Sequence, residues 1–304
     1  MRQAGDKGAI GRGTLRQLMR RRSTIAFLMT LPLIVLLLVL VAYPAGFAIW
    51  ISMLDWTMTR FVGLRNFEYL LGRDRFWLTL FNTALFALVG VVVKALIGFA
   101  AAHFIDNIPA RRQRRWRGML LLPWVIPPAM GALGWRLLFD PSFSPWNWLL
   151  DQVGIGPIGW LVYPGWARFS VIWVSVWFSA PFFMVMYLAA LKSVPEELYE
   201  AASIDGASFW QRLRYVTFPM MRNMIAITML FNLIGSFAGF TLVAVLTNGG
   251  PLGTTQVLGT FAFILGIAVG HLPMGSAVAL SMVPILAVCA TVILRRIVKR
   301  GGDV

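Results

Sequence analysis

The chain contains 304 residues, of which 59% are hydrophobic and 13% are charged, whereas soluble domains carry roughly 25% charged residues. Continuous apolar runs of about 20 residues exclude a soluble globular domain, a disordered chain and a membrane β-barrel, whose strands alternate polar and apolar residues. The net charge of +15 is typical of basic cytoplasmic loops, so no nucleic-acid partner is expected. One cysteine and two histidines exclude a disulfide framework and a cysteine-based metal site.

The sequence predicts an all-α integral membrane protein with six transmembrane helices. Each predicted span has at least the roughly 20 residues that a bilayer crossing requires. The spans are 25–51, 76–105, 118–139, 169–191, 223–246 and 274–294. The turn residues 247–251 divide the last long uncharged stretch. The 14 apolar residues of 257–270 are too few to span, which favours an interfacial or re-entrant segment.

The distribution of basic residues orients these spans. Of the 27 Lys and Arg residues, 20 lie on the side of the two termini and six on the opposite side. Because Lys and Arg accumulate in cytoplasmic loops, both termini are predicted to be cytoplasmic. The predicted organisation is a basic tail at 1–24, a transmembrane domain at 25–294 with a cytoplasmic loop at 192–222, and a basic tail at 295–304.

Lys94 stands inside the second span, where a charged side chain is expensive and often functional. It lies 12 residues before Asp106, so the favoured interpretation is a side chain that extends towards the cytoplasm or pairs with another group. If the side chain instead faces a solute pathway, it would suit an anionic solute. His103, near the inner boundary, is interpreted as a structural residue.

The cytoplasmic loop at 192–222 is predicted to form two short helices. Their start signals are two capping-box pairs, Ser193 with Glu196 and Ser208 with Gln211. Gly206 fits the stop between the helices, and Pro219 is expected to end the second. Ala201 and Ala202 make a low ridge that fits a cleft in another protein. An amphipathic connector on the membrane surface is the alternative interpretation.

One motif in this loop resembles a family signature. Its residues are Glu200-Ala201-Ala202, Gly206, Val216 and Phe218-Pro219. Their spacing resembles the EAA motif of the membrane permeases of binding-protein-dependent ABC importers. That family usually has Ile and Leu where Val216 and Phe218 stand here, and both changes are conservative. The motif also lies in the expected place, on the cytoplasmic side before the penultimate span.

Further stretches resemble the subgroup of maltose- and glycerol-phosphate-type carbohydrate importers. They are Thr30-Leu31-Pro32-Leu33, Tyr43-Pro44, 63–69, Asn82-Thr83, Leu121-Leu122-Pro123 and 247–251. Within 63–69, Phe67 departs from the usual Tyr. The resemblance therefore covers most of the chain. It implies the transmembrane-domain fold of a type I ABC importer, located in the bacterial cytoplasmic (inner) membrane.

The resemblance also implies a set of partners. A second, homologous permease subunit would complete a heterodimer, an ATPase dimer would dock on the cytoplasmic side, and an extracytoplasmic solute-binding protein would deliver the sugar substrate. Membrane lipid would surround the spans. The chain contains no GxxxxGK[ST] pattern, so ATP and Mg²⁺ are expected in the partner ATPase. This chain is therefore expected to bind no cofactor or metal and to be no enzyme.

Three groups of candidate site residues follow from the resemblance. The contact that couples the chain to the ATPase is expected at Glu196, Glu197, Glu200, Ala201, Ala202, Asp205 and Gly206. A sugar pathway needs aromatic faces and neutral hydrogen-bonding groups, and the candidates are Asn232, Ser236, Phe237, Phe240, Trp173 and Trp177. Packing between helices is the alternative role for these six. The binding protein is expected to contact Asn248, Gly249, Gly250 and Pro251, for which a plain turn is the alternative.

Three other functions remain as alternatives. An EAA-type permease for a peptide, a polyamine or phosphate would share the loop, but the flanking motifs favour a sugar. A proton-coupled secondary transporter would need ionisable residues within several spans, and only Lys94, His103 and Arg136 qualify. A membrane enzyme would need clustered acids, histidines or cysteines, but the acids lie in loops and tails, and the sequence contains no HExxH or similar pattern.

Overall fold

The structure, a computed structural model, describes residues 22–301. The predicted N-terminal basic tail lies outside the described residues up to position 21, and so do residues 302–304 of the second tail. The described chain is organised as a series of helices, as the sequence predicts. Long apolar stretches produce this result because a helix satisfies all of its own backbone hydrogen bonds in lipid.

Eight helices precede the cytoplasmic loop in the described chain. They are α1 (Arg22–Leu37), α2 (Tyr43–Ser52), α3 (Arg65–Leu71), α4 (Asp74–Asp106), α5 (Ala110–Val125), α6 (Pro128–Leu138), α7 (Pro145–Asp151) and α8 (Pro164–Lys192). The later helices are α9 (Glu196–Ile204), α10 (Phe209–Arg212), α11 (Phe218–Phe237), α12 (Thr241–Leu246), α13 (Leu258–Phe263) and α14 (Leu272–Gly301). Three wider, π-helical segments continue α1, α10 and α13, namely Leu38–Ala42, Leu213–Thr217 and Ile264–Ala268.

The third predicted span, 118–139, is broken in the structure. Its two helices, α5 and α6, meet at an angle of 91°. The cause is the pair Pro127-Pro128, because a proline lacks the backbone N–H and forces the residue before it into an extended conformation. Accordingly, Ile126 and Pro127 have ψ angles of 131° and 129°. The described chain has five further helical stretches long and apolar enough to cross a membrane, so this broken span completes six.

The prediction that Pro219 ends a helix is wrong. Helical structure continues from Phe209 to Phe237, and the π-helical segment Leu213–Thr217 lies just before the proline. The wider turn of a π-helix displaces the carbonyl that the proline ring would otherwise meet. Pro44 follows the π-helical segment Leu38–Ala42 in the same way. A proline at this position is thus tolerated within both spans.

The two longest membrane-spanning helices before the loop, α4 and α8, pack closely against each other. A Cβ added to Gly98 of α4 would lie 2.3 Å from the Cβ of Phe183 of α8, so this approach requires glycine. The surrounding core includes Val91, Ile105 and Tyr187. Helix α11 also packs against α4. The face of α4 that carries Lys94 is therefore enclosed by neighbouring helices.

The segment at 257–270 forms a short helix that is followed by a tight turn. Helical structure covers Leu258–Ala268, and Gly270 reverses the chain with a φ of +80°. A Cβ on Gly275 would lie 2.5 Å from the Cα of Gly266, so the two glycines let this helix approach α14. The segment packs against the last span and, as predicted, is too short to be a span itself.

Candidate functional site

A cavity of about 460 Å³ lies between α4, α8, α11 and α12. The lining residues with distinctive chemistry are Lys94, Ser175, Ser179, Asn232, Ser236 and Phe240. Serine and asparagine side chains exchange hydrogen bonds without carrying charge, and an aromatic ring offers an apolar face. This lining suits a solute that carries several hydroxyl groups on an apolar ring. We refer to it below as the central cavity.

Lys94 is buried at the central cavity, which corrects the interpretation that it extends towards the cytoplasm. Its side chain is 1% exposed, and its Nζ donates hydrogen bonds to Oδ1 of Asn232 at 3.1 Å and to Oγ of Ser236 at 3.4 Å. The physical reason is that helical side chains lean towards the helix N-terminus. The Lys94 side chain lies over Gly90, one turn earlier, and so points away from Asp106 at the cytoplasmic end.

The structure brings three of the predicted pathway residues together. Asn232, Ser236 and Phe240 all line the central cavity, and the hydroxyl of Ser236 donates to Oδ1 of Asn232 at 3.3 Å. Phe237 does not join them, because adjacent residues of a helix face different directions. Its side chain is 3% exposed and belongs to the core between α4, α8 and α11.

Trp173 and Trp177 are also separated from the central cavity. They line a second, apolar cavity of about 370 Å³ between α4, α5 and α8. The six candidates are thus distributed over the central cavity, the second cavity and the helix core. Sequence reasoning missed Ser175 and Ser179, which line the central cavity from α8. These serines are four residues apart, so the helical spacing that points to Asn232 and Ser236 would also have indicated them.

The outer segment 247–256 is held in place by side chains from α4 and α8. Asn82 donates from Nδ2 to two backbone carbonyls of this segment, at 3.1 and 3.2 Å. Arg168 donates to a third carbonyl at 3.1 Å and to Oδ1 of Asn82 at 3.2 Å. Arg75 donates to Oε1 of Gln256 at 3.0 Å. The segment is thus a fixed feature of the outer surface.

The four residues predicted to meet a binding protein differ in exposure. Asn248 is exposed, Gly249 is buried, and Gly250 and Pro251 are half-buried. The next residue, Leu252, is 92% exposed. A large apolar side chain at the tip of a fixed loop is a feature of protein contact surfaces.

The start signals of the cytoplasmic loop are half correct. The second capping box is present: Gln211 donates from its backbone N to Oγ of Ser208 at 3.4 Å, and Ser208 donates from its backbone N to Oε1 of Gln211 at 2.7 Å. The prediction of a first capping box, between Ser193 and Glu196, is wrong, because the Ser193 hydroxyl donates to the carbonyl of Ala190 at 2.8 Å. Ser193 ends α8 with near-helical angles, whereas an N-cap needs an extended conformation. Helix α9 begins at Glu196 without a side-chain cap.

Two side-chain contacts hold α9 against the start of the fifth span. The hydroxyl groups of Tyr199 and Thr217 are 3.0 Å apart, and Arg212 donates from Nη1 to Oγ of Ser203 at 3.3 Å. Gly206 has a φ of +71°, a left-handed conformation that glycine adopts without strain. Its predicted role as the stop of the first loop helix is therefore confirmed.

Most of the predicted coupling residues lie on the exposed surface of this loop, and Ala202 is half-buried. The exposed ones are Glu196, Glu197, Glu200, Ala201, Asp205 and Gly206. Ile204, which sequence reasoning missed, is 87% exposed. Carboxylates around a small alanine and a protruding isoleucine form a surface that fits a basic, partly apolar cleft.

Comparisons with known proteins agree with the resemblance seen in the EAA motif. A family model described as binding-protein-dependent transport system inner membrane component matches residues 94–301. The trehalose/maltose transport system permease protein MalF of Thermococcus litoralis is 33% identical over 86% of this chain and 89% of its own length. The sulfoquinovosyl glycerol transport system permease protein SmoG of Agrobacterium fabrum is 29% identical over 90% of each chain.

A solved structure shares the fold. The crystal structure of a bacterial ABC transporter involved in the import of the acidic polysaccharide alginate contains a chain that matches with a TM-score of 0.81 at 21% identity. The match covers 94% of this chain and 99% of that chain. The predicted fold of an ABC importer transmembrane domain is thereby confirmed. This chain belongs to the family of binding-protein-dependent transport system inner membrane components.

Proposed function

We propose that this chain is the permease subunit of an ATP-driven carbohydrate importer and that it forms half of the translocation pathway. The trehalose/maltose and sulfoquinovosyl glycerol permeases among its relatives support a carbohydrate substrate. The central cavity supports the same class, because serine hydroxyls, the Asn232 amide and the ring of Phe240 all line it. Such groups recognise the hydroxyls and the apolar faces of a sugar ring.

The observation that carries this proposal is that one continuous helix joins the cytoplasmic loop to the central cavity. Thr217 contacts Tyr199 of α9, and Asn232 lines the cavity, and both lie on the helical stretch Phe209–Phe237. At 1.5 Å per residue the two positions are roughly 22 Å apart. A displacement of α9 would therefore move the cavity lining without an intervening flexible loop.

Coupling to a partner ATPase is proposed at the exposed surface of α9. Hydrolysis of ATP, with Mg²⁺, is assigned to that partner, because this chain has no P-loop pattern. The carboxylates of Glu196, Glu197 and Glu200 would attract a basic cleft, and Ala201 would allow close approach. ATP would then drive transport by favouring one of two states of the assembly.

Two further partners complete the proposed assembly. A second, homologous permease would supply the other half of the pathway. The most apolar window of the first span has no buried residues. This span therefore offers a large apolar surface to the second permease or to lipid. An extracytoplasmic solute-binding protein would deliver the sugar to the outer surface. The loop tip formed by Asn248 and Leu252 is the proposed contact.

The test is transport in proteoliposomes that contain this chain, the partner permease, the ATPase and the binding protein. We expect Ala201→Trp to lower sugar uptake and binding-protein-stimulated ATP hydrolysis at least tenfold, because the ring fills the proposed docking surface. Ala110→Trp, the same change at another exposed alanine, is the matched control and should have no effect. Wild-type uptake by Ala201→Trp would contradict the coupling role. A solute screen in which only peptides, polyamines or phosphate are carried would contradict the carbohydrate assignment.

A further inference from the structure

The central cavity contains a cation that the proposed function does not explain. Lys94 lines the cavity, and its ammonium group has three N–H donors. Two of them bond to Oδ1 of Asn232 and Oγ of Ser236. No third hydrogen bond from Nζ is formed within residues 22–301. Both acceptors are neutral, so the hydrogen bonds orient the ammonium group without neutralising it.

Lys94 forms no ion pair with a carboxylate of the described residues. Helix α4 carries acids only at Asp74 and Asp106, 20 and 12 residues from Lys94, which places them about 30 and 18 Å away along the helix. Asp106 pairs with Lys192 at 3.1 Å. The other helices that line the cavity, α6, α8, α11 and α12, contain neither Asp nor Glu.

An ammonium group that is buried without an opposite charge is strongly destabilising. The same surroundings strengthen its attraction to any anion that approaches, because charges interact several times more strongly in a protein interior than in water. A pocket volume of 300–1,000 Å³ is typical for small-molecule ligands, and the central cavity, at about 460 Å³, is within this range. The missing counter-charge is therefore best supplied by the solute itself.

We propose that the transported sugar carries an anionic group, such as a carboxylate, sulfonate or phosphate, and that Lys94 binds this group while Asn232 and Ser236 hold the ammonium in place. This inference rests on the proposed function, because it assigns a substrate class to the same cavity. The neutral groups of Ser175 and Ser179 then contact the sugar hydroxyls. A purely structural role, in which Lys94 only links α4 to α11, would instead affect all sugars equally.

The experiment uses the complete assembly in proteoliposomes and matched pairs of sugars. Uptake of glucuronate is compared with that of glucose, galacturonate with galactose, and 6-sulfo- or 6-phosphoglucose with glucose. Lys94→Gln removes the charge but keeps hydrogen-bonding capacity, and Lys94→Arg keeps the charge. We expect at least one acidic sugar to be carried, with a tenfold or greater loss in Lys94→Gln and at most a threefold loss in Lys94→Arg.

A second measurement separates this chain from the binding protein, which has a selectivity of its own. Binding of the same acidic and neutral sugars to the purified permease–ATPase complex is measured by calorimetry, without the binding protein. The acidic member of the preferred pair should bind at least tenfold more tightly to wild type than to Lys94→Gln. The subunit ratio of each variant complex is checked first by size-exclusion chromatography.

The outcomes distinguish this inference from the proposed function. Transport of neutral sugars alone, at equal rates in wild type and Lys94→Gln, would contradict the anionic substrate and leave the carbohydrate importer intact. An equal loss for both members of each pair would assign Lys94 a structural role and would also contradict the inference. Transport of no sugar of either kind would contradict the proposed function itself.

Discussion

The hydroxyl groups of Tyr199 and Thr217 are 3.0 Å apart and join α9 to the membrane-spanning helix. Thr217 is 4% exposed, and its hydroxyl also lies 3.4 Å from the carbonyl oxygen of Arg212. The bond between Tyr199 and Thr217 connects the exposed loop surface to the helix that carries Asn232. It is therefore the contact most directly suited to transmit a movement of α9.

Tyr199→Phe should reduce coupling between ATP hydrolysis and transport. The substitution removes one hydroxyl but keeps the ring, and a hydrogen bond of this kind contributes about 1 kcal/mol. We expect the number of sugar molecules imported per ATP to fall roughly fivefold, since a free-energy change of about 1 kcal/mol changes an equilibrium constant by about that factor. The ratio is measured in proteoliposomes by simultaneous assays of sugar uptake and phosphate release. Tyr215→Phe, at a side chain that is 70% exposed, is the matched control, and equal ratios in the two variants would contradict the coupling role of the bond.

Gly206→Ala should weaken the loop through backbone strain alone. No atom of residues 22–301 lies within 4 Å of a Cβ added at Gly206, but the φ of +71° at this position costs an alanine about 1–2 kcal/mol. Gly206→Asn should be better tolerated, because asparagine adopts this conformation more readily. We expect binding-protein-stimulated ATP hydrolysis to fall several-fold in the alanine variant and less in the asparagine variant. The reverse order would show that side-chain volume, not backbone conformation, matters at this position.

Local signals in the sequence predict much of the cytoplasmic loop. The Ser208–Gln211 capping box and the Gly206 stop depend only on neighbouring residues, so both are found in the structure. Ser193 has the same spacing to an acidic residue, but it ends α8 instead of starting α9. The capping pattern alone is misleading here, because it does not show where the preceding helix ends. The number of apolar spans is equally local, because each span needs a continuous apolar run of about 20 residues.

Features that depend on contacts between helices are not predictable in this way. Composition places Lys94 inside a span. Its hydrogen bonds depend on how α4 packs against α11, because the partners Asn232 and Ser236 are 138 and 142 residues away in sequence. The separation of Trp173 from the central cavity likewise depends on which face of α8 meets α5. The 91° bend in the third span is different, because it has a local signal in Pro127-Pro128.

Gly98→Ala should destabilise the transmembrane domain. The new Cβ would lie 2.3 Å from the Cβ of Phe183 and 3.0 Å from the backbone N of Met184, so α4 and α8 would have to separate. Overpacking of this kind costs typically 1–3 kcal/mol. We expect a lower melting temperature of the detergent-purified permease complex. Gly118→Ala is the matched control, because no atom of the described part of the chain lies within 4 Å of the added Cβ. Equal melting temperatures of the two variants would contradict the close packing of α4 and α8.

Asn82→Ala should release the outer segment 247–256. Its amide bonds to two carbonyls of this segment and to Arg168, and each buried partner left unpaired costs about 1–3 kcal/mol. We expect faster backbone hydrogen–deuterium exchange in the segment and weaker binding of the solute-binding protein, by about tenfold or more, since each 1.4 kcal/mol changes affinity tenfold. Asn107→Ala makes the same change at the cytoplasmic end of α4 and should alter neither quantity. Leu252→Ala should weaken binding without changing exchange, because it removes the exposed tip but leaves the hydrogen bonds of Asn82 intact. If Asn82→Ala leaves the exchange rate unchanged, these hydrogen bonds do not fix the loop.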